Sequence, residues 1–450
     1  MVFFSLAGLF AGLLLFIFLC FRKVNTLLSA VASASVMLVC SLPILRDSGL
    51  GLYQMLITGN PAVKFSSYMD GVGGFLKNYL LLFALSALYG KVMEDSGAVR
   101  RLALAMTNAV RRGGKRTKFL AVCVLPAVYV VLGYCGISGF VLMFTVVALG
   151  RELFYECDIP WRFYCYGALG NVANGVLAGN LQTQNLKATA LFGVSSTAAA
   201  GMSIAFTVAQ LSAAAVMIYL DVRKAERRGE GFLPNGAEIL KVQLKEPIPE
   251  ERLPELWRAL LPLLATIFII LLLGAQAETT LFCSVVLCFL LFRKQLLHPM
   301  ETLGAGLQAG IGPVVTVAAV AGLATIIPEM PGFSLIANLL DRLPDLYGGV
   351  ALTAVITALV ANPVPIFSSE GITSILAEKF SGLSAESAAR LSLCSQVIPC
   401  PPWNAGAINA VTLTKLDFKV AAWYYFKATT FSGAAGLAVV LVLIHFGVFV

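Results

Sequence analysis

Charge is what this sequence has least of. Only 12% of its 450 residues are Asp, Glu, Lys or Arg, against about 25% in a soluble domain. Histidine is scarcer still. His298 and His445 are the two, far apart, which leaves no histidine-based metal or nucleophile site. The ten cysteines include Cys20, Cys40, Cys123, Cys283 and Cys288, mostly single within apolar runs and without C-x-x-C spacing. That excludes zinc and dithiol motifs and leaves core packing as their role. There is no G-x-x-x-x-G-K loop, so this chain is not expected to hydrolyse ATP. No nucleophile is paired with a base, and an intramembrane enzyme is not expected. No cofactor or metal is implied.

What fills the sequence is apolar surface. Hydrophobic residues make up 58% and mean hydropathy is +0.85. Apolar runs of about 20 residues, the length that spans a bilayer, recur along the chain. In the first half they predict helices at 2–20, 25–45 and 73–95, short stretches at 119–134 and 139–155, an interrupted segment at 161–193, and a helix at 197–220. In the second half they fall at 258–275, 279–292, 305–328 and 333–346, then 348–361 and 371–380, 388–412, and 420–449. The first run is read as a helix, not a cleaved signal, because Arg22 and Lys23 follow it and no basic region precedes it.

The two halves share their order. Gly74 and Gly97 are answered by Gly310 and Gly332 about 235 residues later, and Asn180 and Asn185 by Asn404 and Asn409 224 residues later. The net charge of +8 lies in short loops between apolar runs, a topology signal and not a nucleic-acid face. Placing basic loop 100–118 in the cytoplasm puts 221–256 there too, and puts 333–346, the counterpart of 100–118, outside. One half is then inverted relative to the other, with both termini extracytoplasmic. The predicted fold is an all-α integral membrane protein of about ten full spans plus two re-entrant hairpins. It has two inverted-topology repeats, 1–220 and 257–450, joined by a cytoplasmic linker, 221–256. The hairpins fall at about 119–155 and 348–380, and the broken helices at about 161–193 and 388–412.

Irregular backbone at membrane depth must line protein or water, because each unsatisfied group facing lipid costs several kcal/mol. Broken helices at equivalent places in two repeats mark a transporter's central site. Half-helix N-termini there favour anions. The candidate substrate residues are Cys135, Gly136 and Ser138 at the first hairpin tip and Asn180, Gln182, Thr183, Gln184, Asn185 and Lys187 at the first break. Asn362, Ser368 and Ser369 at the second hairpin join Asn404, Gly406 and Asn409 at the second break. Uncharged polar groups bind carboxylates and hydroxyls without burying a permanent charge, or else satisfy one another between helices. Lys187 pairs with an anionic substrate or snorkels to an interface. Glu370, in Ser-Ser-Glu-Gly, is the candidate for the coupling proton; an exposed loop carboxylate is the alternative. Arg390 and Lys427, near predicted span ends, are read as snorkelling.

Three stretches carry a family resemblance. Gly90-Lys91-Val92-Met93-Glu94-Asp95-Ser96-Gly97-Ala98 with Arg101, Gly139-Phe140-Val141-Leu142 with Arg151-Glu152-Leu153, and Asn404-Ala405-Gly406 resemble the gluconate permease family of the ion transporter superfamily. The resemblance implies inverted repeats with hairpins and broken helices, proton-coupled uptake of sugar acids or related carboxylates, an elevator-like motion and a homodimer. The chain departs from the family at the first hairpin tip, where Tyr134-Cys135-Gly136 replaces an acidic residue. It departs again at Asn180–Lys187, which replaces a proline-rich loop containing histidine.

Together these features predict a multi-pass inner-membrane symporter, coupled to protons, for a small organic anion. Sodium coupling or exchange is one alternative, and a passive anion pore is another.

Overall fold

A computed structural model of the chain describes residues 1–22, 24–63, 65–134, 139–180, 182–233, 235–241, 252–273, 277–360, 376–396 and 403–449. Its first half holds α1 (Val2–Phe21), α2 (Thr26–Leu45), α3 (Tyr68–Asp95), α4 (Ala98–Arg111), α5 (Thr117–Tyr134) and α6 (Gly139–Glu156). A 3-10 turn, Trp161–Gly167, leads into α7 (Ala168–Val176), followed by α8 (Thr183–Leu191) and α9 (Ala200–Arg227). After α10 (Ala237–Lys241) the second half runs α11 (Leu256–Leu273), α12 (Ala277–Leu291), α13 (Pro299–Ile326), α14 (Pro331–Asp341) and α15 (Asp345–Val360). It closes with α16 (Ala385–Gln396), α17 (Ala405–Thr414), α18 (Phe418–Phe426) and α19 (Ser432–His445). Among the described residues the one β feature is an antiparallel bridge, Asn60–Phe65.

The protein is a helical, multi-pass membrane protein. Seven segments of the described residues are long and apolar enough to cross a bilayer, counting Phe418–His445 as one. Shorter apolar helices add to them. Several boundaries differ from the hydropathy reading. Most of basic loop 100–118 is the helix α4, α13 starts at Pro299 and not 305, and α14 ends at Asp341. Two further differences have a local cause. The third helix starts at Tyr68, not 73, because Ser67 and Asp70 form a capping box: Asp70 N donates to Ser67 Oγ at 3.0 Å and Ser67 N to Asp70 Oδ2 at 2.8 Å. The predicted linker also starts late. Helix α9 continues to Arg227, since Lys224 and Arg227 in its last turn suit the negative helix end.

At the centre, α3 and α13, each 28 residues, pack along their lengths. They run antiparallel. Tyr68 at the start of α3 donates to Ala319 O late in α13 (2.8 Å), and Thr302 at the start of α13 donates to Asp95 at the end of α3 (2.7 Å). Gly310 makes this contact possible, because a Cβ there would lie 2.7 Å from Phe83 O and 2.9 Å from Ala84 Cα. Helices α9 and α19 pack the same way, Asp221 bonding Lys427 while Gly201 faces Phe449. Other contacts come in reciprocal pairs across the halves: α2 on α13 and α12 on α3, α1 on α14 and α11 on α4. Within the halves, α5 packs on α7 as α15 packs on α16.

Candidate functional site

The first break follows from its sequence. In Leu177–Gln182, Gly179 and Asn180 both disfavour helix, and the Asn180 side chain competes for the backbone. Its Nδ2 donates to Asn174 O at 2.6 Å and to Leu177 O, and its Oδ1 accepts from Gln182 N at 2.9 Å. From α8, Asn185 Nδ2 donates to Asn180 O at 2.9 Å and Ser196 O at 3.3 Å. Both asparagines are buried and hold the break's own backbone.

Arg390 completes this first break, and it does not snorkel. It is 0% exposed, because α16 packs between α7 and α8 and aims it at their exposed carbonyls. Nε donates to Ala198 O at 3.2 Å, Nη1 to Val176 O at 2.8 Å and Asn185 Oδ1 at 2.9 Å, and Nη2 to Ser196 O at 3.1 Å and Ala198 O at 2.8 Å. All five guanidinium donors are used. The C-terminus of α7 carries partial negative charge, and the cation covers it at Val176. The positive N-terminus of α8 then dominates the break, which suits an anion.

The end of α5 rests on the same place. Gln182 Nε2 donates to Gly133 O at 3.4 Å, Tyr134 OH to Ala178 O at 3.0 Å and Asn174 Nδ2 to Tyr129 O at 2.7 Å. Gly133 leaves room for this seat, since a Cβ there would meet Asn174 Nδ2 at 2.1 Å.

The second break repeats the relation. Trp403 Nε1 donates to Ala358 O at 2.9 Å and Leu359 O at 3.2 Å, at the end of α15. Asn404 caps α17, its Oδ1 accepting from Gly406 N at 2.8 Å and Ala407 N at 3.3 Å. Asn180 and Asn404, paired by sequence offset, thus each accept from the amide two residues on. Asn409 is buried on α17, its Nδ2 donating to Met143 Sδ of α6 at 3.1 Å, which links the second break to α6.

The structure therefore gathers Asn180, Gln182 and Asn185 at one break, and Asn404, Gly406 and Asn409 at the other. Gln184 is half-buried on α8. Thr183 and Lys187 lie in α8, but their side chains fall outside the description. Cys135, Gly136, Ser138, Asn362, Ser368, Ser369 and Glu370 lie outside the described residues. Three further residues join the site: Asn174, Arg390 and Gln396. Asn174 Oδ1, Asn409 Oδ1 and both amide atoms of Gln396 are buried and without a hydrogen-bond partner among the described residues. Such orphaned groups cost about 1–3 kcal/mol each and call for a ligand or water. Asn174 and Gln396 escaped the sequence reading because they sit in regular helix beside the breaks; polar residues at the ends of apolar half-helices were the available signal.

Two ion pairs bear on the remaining expectations. Lys427 does not snorkel: it meets Asp221 Oδ2 at 2.5 Å, where Tyr166 OH also donates. This happens because the antiparallel packing of α9 on the segment from α18 to α19 brings the two charges together. Arg151, 5% exposed, reaches Glu94 Oε1 at 2.8 Å and Glu152 Oε1 at 3.3 Å. Two of the stretches that resemble the gluconate permeases, 57 residues apart at these positions, thus meet in space.

Comparison with known proteins agrees. The "Uncharacterized transporter YxjC" of Bacillus subtilis (strain 168) is 34% identical over 193 residues, 40% of this chain and 38% of that protein. The match therefore spans about two fifths of this relative's length. The model of the GntP family permeases matches residues 5–153, from α1 to the Glu94–Arg151 pair and short of the first break. Over its first third, residues 5–153, the chain is similar to the GntP family permeases.

Proposed function

We propose that this protein is a secondary-active transporter that couples entry of a small organic anion, a sugar acid or similar carboxylate, to protons across the inner membrane. The observation that carries this reading is a pair of helices broken at corresponding places, each break holding an asparagine that accepts from the amide two residues on and resting against the end of an earlier helix. Antiparallel packing of α3 on α13 and of α9 on α19 supports inverted repeats, since counterpart helices of opposite topology must run in opposite directions. The orphaned amides of Asn174, Gln396 and Asn409 support polar ligand recognition, and the Arg390-covered end of α7 supports an anion. The described residues of both breaks hold no carboxylate. Glu370 is the one acid within 361–375 and is our candidate for the proton.

The test is uptake of labelled sugar acids and dicarboxylates by proteoliposomes under imposed proton or sodium gradients. Accumulation driven by the proton gradient is expected. Accumulation driven by sodium alone overturns the coupling assignment, and conductance without accumulation replaces the transporter with a pore.

A further inference from the structure

The far end of α9 carries a feature that the transport site does not use. Val216 and Leu220 are 58% and 59% exposed as α9, a helix long and apolar enough to cross a bilayer, nears its end. Arg223, Lys224 and Arg227 continue on the same face and are exposed. The spacing i, i+4, i+7, i+8, i+11 makes a single helical stripe, apolar and then basic. Arg228 follows, and a recess of about 370 Å³ is lined by Leu220, Arg223, Lys224, Arg227 and Arg228.

The nearby acids leave most of this charge unbalanced. Asp221 is held by Lys427 and Tyr166. Glu230 bonds Arg162 and lies 3.8 Å from Arg228. Glu226 is exposed on the same helix. Among the described residues, Arg223, Lys224 and Arg227 have no ion pair, and Arg223 sits over the Tyr219 ring at 5.3 Å. A topology signal requires only that cations lie in the loop. Here they converge on one recess whose wall continues into lipid-facing surface.

We propose that this recess binds the headgroup of an anionic phospholipid, with its acyl chains along Val216 and Leu220. A phosphodiester fits a fork of guanidinium donors. The apolar stripe above the recess selects a lipid over a soluble anion.

The test is native mass spectrometry of the full-length protein in detergent with equimolar phosphatidylglycerol and phosphatidylcholine. Wild type should retain phosphatidylglycerol preferentially. Each cation near an anionic headgroup is worth about fivefold, so Arg227→Gln should lower the enrichment about fivefold. The triple Arg223→Gln, Lys224→Gln, Arg227→Gln should lower it tenfold or more. Arg223→Lys with Arg227→Lys should keep most of it. A control triple, Arg101→Gln, Arg112→Gln, Arg116→Gln, should leave it unchanged. Unchanged enrichment in Arg227→Gln overturns the proposal, as does equal loss in the control. Displacement of phosphatidylglycerol from wild type by inorganic phosphate reassigns the recess to a soluble anion and also overturns it.

Discussion

Arg390 carries more of the first break than any residue singled out from sequence. It ties Val176, Asn185, Ser196 and Ala198, so α7, α8 and the turn before α9 share one cation from the other half of the chain. Removing it leaves several buried acceptors unpaired, and Arg390→Met should destabilise the protein by about 2–4 kcal/mol in detergent melting. Arg390→Lys should recover only part of this, because one ammonium cannot reproduce the guanidinium fork. Gln396 makes the opposite case, since nothing among the described residues uses its amide. If the proposed anion is the substrate, Gln396→Ala should raise its KM about tenfold with little change in melting temperature, as loss of one hydrogen bond to a charged ligand would. Equal loss of stability would assign Gln396 to the fold instead. Between α13 and α14, burial raises the carboxyl pKa of Glu329, despite hydrogen bonds from Ser66. The fold thus favours the neutral form, and that stabilisation is lost as pH rises through the raised folded value. The melting temperature of Glu329→Gln should exceed wild type's increasingly above the ordinary glutamate range and converge with it below. A gap that does not change with pH refutes this.

At the scale of elements, the half-helices are 9, 9, 12 and 10 residues long, too short to persist alone, where about 12–15 residues are marginal. Their stability comes from packing and from capping of the broken ends. The breaks were visible in the sequence as polar runs inside apolar segments, and the order of elements followed from hydropathy. What each break rests on was not visible, because a helix's partners depend on side chains far away in sequence. The α3–α13 contact shows the same limit. Gly310 was paired with Gly74 by position along the chain, yet it faces Phe83 and Ala84. Gly310→Val should separate the central helices and destabilise the protein by about 1–3 kcal/mol or more, read by thermal melting. Gly312 has open space at its Cβ, and Gly312→Val should cost far less.

Across the whole molecule, contacts join the halves at both ends of the site: Arg390 from the second half to the first break, and Met143 of α6 to Asn409. Neither half closes its own site. The two breaks are not electrostatically alike, since the end of α7 is covered by a cation and no described residue does the same for α16. If Glu370 carries the coupled proton, Glu370→Gln should abolish accumulation driven by a proton gradient while leaving exchange of labelled for unlabelled substrate. Proton-driven accumulation that persists in that variant rejects the assignment.

Low charge and recurring apolar runs by themselves determined that the chain lives in a bilayer, since no soluble core hides that much apolar surface. Polar runs inside those segments located the breaks, and basic loops predicted an orientation. The tertiary structure alone decided the roles of individual polar residues. Asn180 and Asn185 hold backbone, Arg390 and Lys427 are paired in the interior and not at an interface, and Asn174, Gln396 and Asn409 keep hydrogen-bonding atoms unused among the described residues. The reason is physical. Burial in lipid is a sum over a segment and can be read locally, whereas satisfying a buried donor or acceptor depends on one atom within about 3 Å, and that atom often belongs to the other half of the chain.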